Sequence, residues 1–212
     1  MSFNINDNKT LLQSIESDLS RLNFKVLEIA VYINILKIIP PLRLILTNGN
    51  KFFGYITKDL LYPTLTVFSN SSLLKLESLA DIICADYPQL KNRFVVFYSL
   101  LSHYFDSRFE LATFTQDLEW LPSVCSIYPN ANWPEREIWD MFGIGFLNHP
   151  DLRRILTDYG FKGHPLRKEF PVLGFLEVAY SNVLDFIEYK SVTLALLPRH
   201  FALSNDVNTS HY

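Results

Sequence analysis

The chain has 212 residues and a formal net charge of −3, with 49% hydrophobic and 19% charged residues. This composition supports a sizeable core, and the acidic balance argues against general nucleic-acid binding, which needs a basic excess on one face. The two cysteines, Cys84 and Cys125, are too few for an iron–sulfur cluster or a four-ligand structural zinc site.

The first half of the chain predicts helices packed on a small sheet. Two apolar rows at helical spacing predict a buried helix over 22–39, which Pro40 and Pro41 end. A hairpin of two strands, a short helix and two more strands follow, at 42–47, 51–57, 58–68, 92–101 and 108–115. Because helix and strands do not alternate regularly, the predicted class is α+β, a two-layer domain of helices on a small mixed sheet.

A further helix is predicted to begin at Asn132 and to end at Gly143. Asn132 suits the N-cap, Pro134 the first turn and Glu135 the capping position three residues on. Glycine at position 143 suits the helix C-terminus, where the backbone commonly turns left-handed.

The stretch 144–174 is too rich in proline and glycine for long regular elements. An irregular, aromatic segment of mixed charge is typical of a tail that lies on another protein surface. The predicted organisation is an α+β domain over 1–125, a segment with one helix and an extended docking tail over 126–180, and a C-terminal extension over 181–212.

Two of the five histidines open near-identical phrases, His149-Pro-Asp-Leu-Arg-Arg154 and His164-Pro-Leu-Arg-Lys168. Proline fixes φ beside each histidine, so the following cations point in set directions and suit an arginine clamp on a carboxylate-bearing protein surface. We therefore predict that this region docks on a partner. The candidate docking residues are Glu135, Arg136, Glu137, Asp140, His149, Asp151, Arg153, Arg154, Asp158, Tyr159, His164, Arg167 and Lys168.

A metal centre is the competing hypothesis for the same region. His149, Asp151 and His164 offer two imidazoles and a carboxylate, which would suit a soluble metal-dependent enzyme. Their spacing matches no pair on one face of a helix, and turn histidines that hydrogen-bond to the backbone are the favoured interpretation.

Two other kinds of site are weaker. Glu135, Glu137 and Asp140 could form an acid/base group, but capping and ion pairing explain them more simply. The Gly143-Ile-Gly145 stretch resembles a dinucleotide loop, yet Asn148 stands where the third glycine is required.

The stretch NANWPEREIWDMFGIGFLNHPDLRRILTDYGFKGHPLRKEFPVLGFLEV resembles the thirty-kilodalton-type subunit of respiratory complex I, the proton-pumping NADH:ubiquinone oxidoreductase. In organelle genomes this family is called NADH dehydrogenase subunit 9. The likeness covers 126–180, and a weaker one spans 86–115. Gly145 departs from the family pattern, which has a bulky residue there, and beyond Ser181 the pattern is lost.

The resemblance implies a non-catalytic core subunit of the peripheral arm that braces the quinone-reducing module for electron transfer from NADH to ubiquinone. It implies contacts with the forty-nine-kilodalton-type subunit and neighbouring cluster-bearing subunits, while FMN and the iron–sulfur clusters belong to other subunits. The expected location is the matrix side of the mitochondrial inner membrane, peripherally and without a membrane span. The absence of a transit peptide, with 17 Phe, 11 Tyr and 7 Gly, points to a mitochondrial gene.

Overall fold

The computed structural model describes residues 43–47, 51–105 and 107–193, and its side chains from Phe53 onward. Two compact units divide the chain between Glu169 and Phe170. The helix predicted over 22–39, the hairpin loop 48–50 and most of the predicted C-terminal extension lie outside the described residues.

The first unit is built on a mixed five-stranded sheet. Its strands are β1 (Arg43–Thr47), β2 (Lys51–Ile56), β3 (Ser78–Asp86), β4 (Phe94–Ser102) and β5 (Ser107–Thr115). They lie in the order β1-β2-β5-β4-β3, and only β2 and β5 run parallel. The predicted α+β class with a mixed sheet is confirmed, as are the hairpin and the β4 and β5 strands.

The edge strand β3 was missed by the sequence analysis because a bulge interrupts its alternation. The register shifts between Leu79 and Asp81. Consequently the buried positions jump from Leu79 to Ile82, a spacing of three that no regular strand pattern contains. A bulge also twists an edge strand away from pairing with other chains.

Helix α1 (Lys58–Asn70) packs one face on the sheet. Leu61, Thr64, Leu65 and Phe68 recur at three- and four-residue spacing and are all buried. The ring of Phe68 meets that of Phe109 on β5 edge-on at 5.2 Å. The helix predicted over 58–68 is therefore confirmed, with two further residues at its end.

Helix α2 (Asn132–Phe142) follows a 3-10 turn over Pro129–Ala131. It ends at Gly143, whose φ of +77° is the left-handed conformation predicted for this glycine. The prediction that Asn132 caps the helix is wrong: Ala131 holds the N-cap position, and Asn132 is already helical. The 3-10 turn supplies the helix entry, so no side chain is required to cap it.

Strands β6 (Trp120–Pro122) and β7 (Gly145–Leu147) form a short parallel pair. A Cβ atom on Gly145 would lie 2.6 Å from the Trp120 ring, which explains why this chain tolerates no bulky residue there. Ile138, Ile144 and Phe146 belong to the same hydrophobic core as the sheet. The predicted boundary at residues 125 and 126 stays a prediction about independent folding.

The second unit contains an antiparallel hairpin of β8 (Leu176–Ser181) and β9 (Phe186–Ser191). One further backbone hydrogen bond joins the residues just outside the two strands: Val192 N–H donates to Phe175 O at 3.2 Å. Among the described residues, no helix combines the length and the apolar character needed to cross a membrane.

Candidate docking site

Asp140 lies near the end of α2 with its side chain fully buried. Its carboxylate accepts backbone N–H groups of Ile155, Leu156 and Thr157 at 3.2, 2.7 and 3.0 Å, and the Thr157 hydroxyl at 2.7 Å. Burial raises the pKa of Asp140, but these donors outweigh it and hold the pKa below its usual value. One carboxylate thus folds the 155–157 loop back onto the helix.

Glu135, one turn into α2, organises the preceding turn in the same way. It accepts the Ser123 hydroxyl at 2.6 Å and the Val124 N–H at 2.8 Å, and it lies 3.4 Å from the Cys125 thiol. Burial, the largest effect, raises the pKa of Glu135 despite these donors. The predicted acid/base group is therefore not assembled, since Glu135 and Asp140 hold separate loops and Glu137 is exposed.

The two predicted histidine ligands lie at opposite ends of α2. His149 Nε2 is 3.3 Å from Asn132 O, whereas His164 Nδ1 donates to Asp140 O at 2.9 Å. Asn132 and Asp140 are eight residues apart, about 12 Å along an α-helix. The structure thus does not bring His149, Asp151 and His164 together, and the metal-triad hypothesis fails on this geometry.

A different set of metal-type groups does converge: ligand atoms of Cys125, Glu135 and His149 lie within 4.8 Å of one another. The Nδ1 atom of His149 accepts the Asp151 N–H at 3.1 Å, so the ring proton is on Nε2, the nitrogen that faces this cluster. Burial also raises the pKa of the Cys125 thiol to about 11. Because His149 Nε2 and the Cys125 sulfur both carry protons, the three residues favour a hydrogen-bonded cluster in the core over a metal centre.

The second phrase, beginning at His164, closes the C-terminal end of α2. Arg167 Nε donates to Phe142 O at 2.6 Å, and its terminal nitrogens bridge Asp117 at 2.9 and 3.2 Å. Burial is the main cause that lowers the pKa of His164, which keeps the ring neutral beside this guanidinium. A Cβ on Gly143 would lie 2.5 Å from His164 Nε2, so this position requires glycine for space as well as for φ.

Asp86 and Arg93 form an anchor that the sequence analysis did not identify. Arg93 Nε and Nη2 donate to the two Asp86 oxygens at 2.7 and 2.8 Å, and the Lys168 N–H donates to Asp86 at 2.8 Å. The pKa of Asp86 lies below its usual value, and the largest cause is the hydrogen bonding from the Arg93 side chain. No local sequence pattern indicates this anchor, because Lys168 lies 82 residues from Asp86.

Two more predicted docking cations bind within the chain. Arg136 is 8% exposed, donates to Arg153 O at 3.2 Å and lies over the Trp133 ring at 5.2 Å. Arg154 donates to Phe161 O at 2.9 Å and lies 3.7 Å from Asp140. Their positions are set by internal acceptors rather than by a surface that awaits a partner.

The predicted docking residues thus divide into two groups. Glu135, Arg136, Asp140, His149, Arg154, His164 and Arg167 are buried or half-buried and contact the chain's own loops. The exposed group, which we call the outer docking set, comprises Glu137, Asp151, Arg153, Asp158, Tyr159 and Lys168. Partner contact stays a prediction, and the outer docking set is the more exposed of the two groups.

The β8–β9 hairpin presents an apolar face to solvent. On this face Val178 pairs with Tyr189 and Tyr180 with Ile187, beside Leu176. Their exposed fractions are 55% for Leu176, 56% for Val178, 60% for Tyr180, 62% for Ile187 and 57% for Tyr189. The opposite face is the more polar one, because it carries Glu177, Lys190 and Glu188 beside Ala179 and Phe186. An α+β domain with a packed motif region and an exposed apolar hairpin is typical of a subunit of a larger assembly.

Comparison with known proteins identifies the family. The family model for the respiratory-chain NADH dehydrogenase 30 Kd subunit matches residues 55–175. NADH dehydrogenase [ubiquinone] iron-sulfur protein 3 of Oryza sativa subsp. japonica is 49% identical over 135 residues, 64% of this chain and 70% of that protein. The Arabidopsis thaliana protein of the same name is 47% identical over the same shares. The chain belongs to this respiratory-chain NADH dehydrogenase subunit family, which confirms the resemblance.

Solved structures support the fold. A chain of the membrane-bound sulfane sulfur reductase, an archaeal respiratory membrane complex, aligns over 68% of this chain and 85% of its own, with a TM-score of 0.61 and 23% identity. A trypsin-resistant fragment of Nqo5 aligns over 60% of this chain and 100% of its own, with a TM-score of 0.52 and 24% identity. At these identities the likeness concerns the fold alone.

Proposed function

We propose that this chain is a non-catalytic core subunit of the peripheral arm of complex I. It braces the quinone-reducing module while electrons pass from NADH to ubiquinone in other subunits. The observation that carries the bracing role is the exposed apolar face of the β8–β9 hairpin. Family membership supplies the complex in which that face would be covered.

An isolated two-stranded hairpin is at best marginally stable in water, and more strands or a covering surface are needed for independent stability. Val178 and Tyr189 on this face are more than half exposed in the chain itself. Each such side chain that a partner covers contributes about 1 kcal/mol or more to the binding free energy, because its apolar area is removed from water. The hairpin therefore gains order and binding energy together when a partner covers it.

We assign the partner surface to the forty-nine-kilodalton-type subunit, with the cluster-bearing subunits of the quinone module as neighbours. The outer docking set offers charged side chains to the partner, and the hairpin offers an apolar face. Of the set, Arg153 is 72% exposed along its side chain and pairs with Asp151 at 3.0 Å. Exposed pairs of this kind steer and orient a complex more than they stabilise it.

The redox groups belong to other subunits in this proposal, and no active site is assigned to this chain. Its relatives are named iron-sulfur proteins, but a cluster needs about four thiolates, and this chain has two cysteines. We place the subunit at the matrix side of the mitochondrial inner membrane, peripherally, and assign it to a mitochondrial gene.

A matched pair of substitutions on β8 tests this proposal. Val178→Glu places a carboxylate on the apolar face, and Ala179→Glu places the same group one residue along on the polar face. In mitochondria that carry each variant, native electrophoresis should show loss of assembled complex for Val178→Glu only. NADH dehydrogenase activity per assembled complex should be unchanged.

Equal assembly of both variants would contradict docking through the hairpin. Normal assembly with lowered turnover would contradict the bracing role, because the face would then act on electron transfer or quinone access. A single band at the mass of the free chain, in unmodified mitochondria, would remove the complex I assignment altogether.

A further inference from the structure

The C-terminal end of α2 is capped by a segment from further along the chain. The last four carbonyl groups of an α-helix have no partner within the regular helix. In α2 the first of them, Trp139 O, accepts the Gly143 N–H at 3.0 Å. The other three accept donors from residues 164–167: His164 Nδ1 donates to Asp140 O at 2.9 Å, the Leu166 N–H to Met141 O at 3.1 Å and Arg167 Nε to Phe142 O at 2.6 Å. We call residues 164–167 the strap.

The bound strap fixes which nitrogen of His164 carries the ring proton. A carbonyl oxygen only accepts hydrogen bonds, so the proton is on Nδ1, the nitrogen that faces Asp140 O. Nε2 is therefore the nitrogen that can gain a second proton. A Cβ atom on Gly143 would lie 2.5 Å from His164 Nε2 and 2.9 Å from Arg167 Nη2. The nitrogen that would gain the proton is thus a close neighbour of a guanidinium group.

Among the described residues, three charged side chains act on the His164 ring. Arg154 from the preceding loop and Arg167 from the strap are positive, whereas Asp140 from α2 is negative. The Asp140 carboxylate is already engaged by three backbone N–H groups and the Thr157 hydroxyl. Burial, the largest effect, and the two arginines lower the pKa of His164 against the opposing effect of Asp140. The surroundings of the ring therefore favour its neutral form.

We propose that the strap is a pH-sensitive cap of α2, which is closed while the His164 ring is neutral and is released when Nε2 gains a proton. The second proton adds a positive charge beside Arg167, whose hydrogen bond to Phe142 O is part of the same cap. Release leaves the carbonyl groups of Asp140, Met141 and Phe142 to water and frees Arg167, one of the predicted docking cations. The opening is a property of this chain and does not depend on the proposed function.

The direction of the pH effect follows from the lowered pKa of His164. In the open strap the ring reaches water and titrates near the ordinary histidine pKa of about 6.5. Because the closed strap binds the second proton less readily, it is fully stable above about pH 6.5 and loses stability as pH falls below that value. The pKa values of Asp86 and Asp140 lie below the ordinary value of about 4, so both carboxylates stay charged over this range.

Amide hydrogen exchange in the full-length chain, followed by NMR, tests the proposal. The Leu166 N–H, which donates to Met141 O, reports on the strap, and the Ser71 N–H, which donates to Val67 O at the end of α1, is the matched control. Between about pH 7.5 and about pH 5.5, protonation of a histidine with the ordinary pKa favours the open strap by up to about tenfold. We therefore expect the protection factor of Leu166, corrected for the intrinsic pH dependence of exchange, to fall several-fold, while that of Ser71 changes little.

Two variants identify the group that titrates. His164→Asn keeps a side-chain N–H donor near Asp140 O but cannot titrate, so the protection of Leu166 should no longer depend on pH. His103→Asn removes an exposed histidine from the β4–β5 turn and should leave the pH dependence intact. If His164→Asn does not fold, His164→Gln, which also carries an amide donor, takes its place. Constant protection of Leu166 in the unmodified chain, an equal loss at Ser71, or a loss that persists without His164 would each overturn the proposal.

Discussion

Replacing Asp140 by alanine should destabilise the first unit strongly, because this buried carboxylate is the common acceptor of the 155–157 loop. Three backbone N–H groups and one hydroxyl donate to it at 2.7 to 3.2 Å. Hydrogen bonds to charged groups contribute about 1.5–3 kcal/mol each. The loop amides can partly rehydrate, so we expect a net loss of about 3–5 kcal/mol, as for other broken buried charge networks.

Urea unfolding of the full-length chain measures this loss, and two variants calibrate it. Asp140→Asn keeps an acceptor oxygen without the charge and should cost about half as much. Glu137→Ala lies on the exposed side of the same helix and should change stability by no more than about 0.5 kcal/mol. A loss below about 1 kcal/mol for Asp140→Ala, or a loss equal to that of Glu137→Ala, would refute the role assigned to this carboxylate.

The pH dependence follows from the direction of the pKa shift. The pKa of Asp140 in the folded chain lies below its ordinary value. Its stabilising contribution is therefore fully present above the unfolded pKa of about 4, and is lost as pH falls through the folded value. Asp140→Asn should remove this part of the acid sensitivity, so that the two chains converge in stability at low pH.

Three further predictions concern glycine, domain division and metal. Gly143→Ala should lower the free energy of unfolding in urea more than Gly160→Ala does. Both glycines have positive φ, but of the two only a Cβ on Gly143 would lie within 4 Å of a side chain, that of His164. Equal losses would mean that the backbone φ alone causes the destabilisation. A fragment of residues 1–125 lacks the buried Ile138 and Phe146, so we expect weakened cooperativity, whereas a sharp transition would support the predicted boundary. The purified chain should hold no stoichiometric zinc by elemental analysis, and one zinc per chain that is lost in Cys125→Ser would refute the tautomer argument.

Local sequence patterns determined the elements whose formation depends on neighbours along the chain. The Asn48-Gly49-Asn50 loop predicted the β1–β2 hairpin, and Gly143 predicted the end of α2. The short helix predicted over 58–68 corresponds to α1. Turn chemistry, φ preference and periodicity act within a few residues, so they are visible in the sequence itself. The continuous motif from 130 to 178 was likewise sufficient to identify the family.

Tertiary structure alone decided what the charged residues of that motif do. The sequence analysis explained Glu135 and Asp140 by capping and ion pairing, yet each is buried and accepts hydrogen bonds from a loop outside the helix. Asp86 binds Arg93 and also the backbone of Lys168, which lies 82 residues further along the sequence. Whether a charge points to water or to an internal donor depends on chain segments far away in sequence. The outer docking set and the apolar hairpin face could therefore be separated from the internal anchors only once the fold was known.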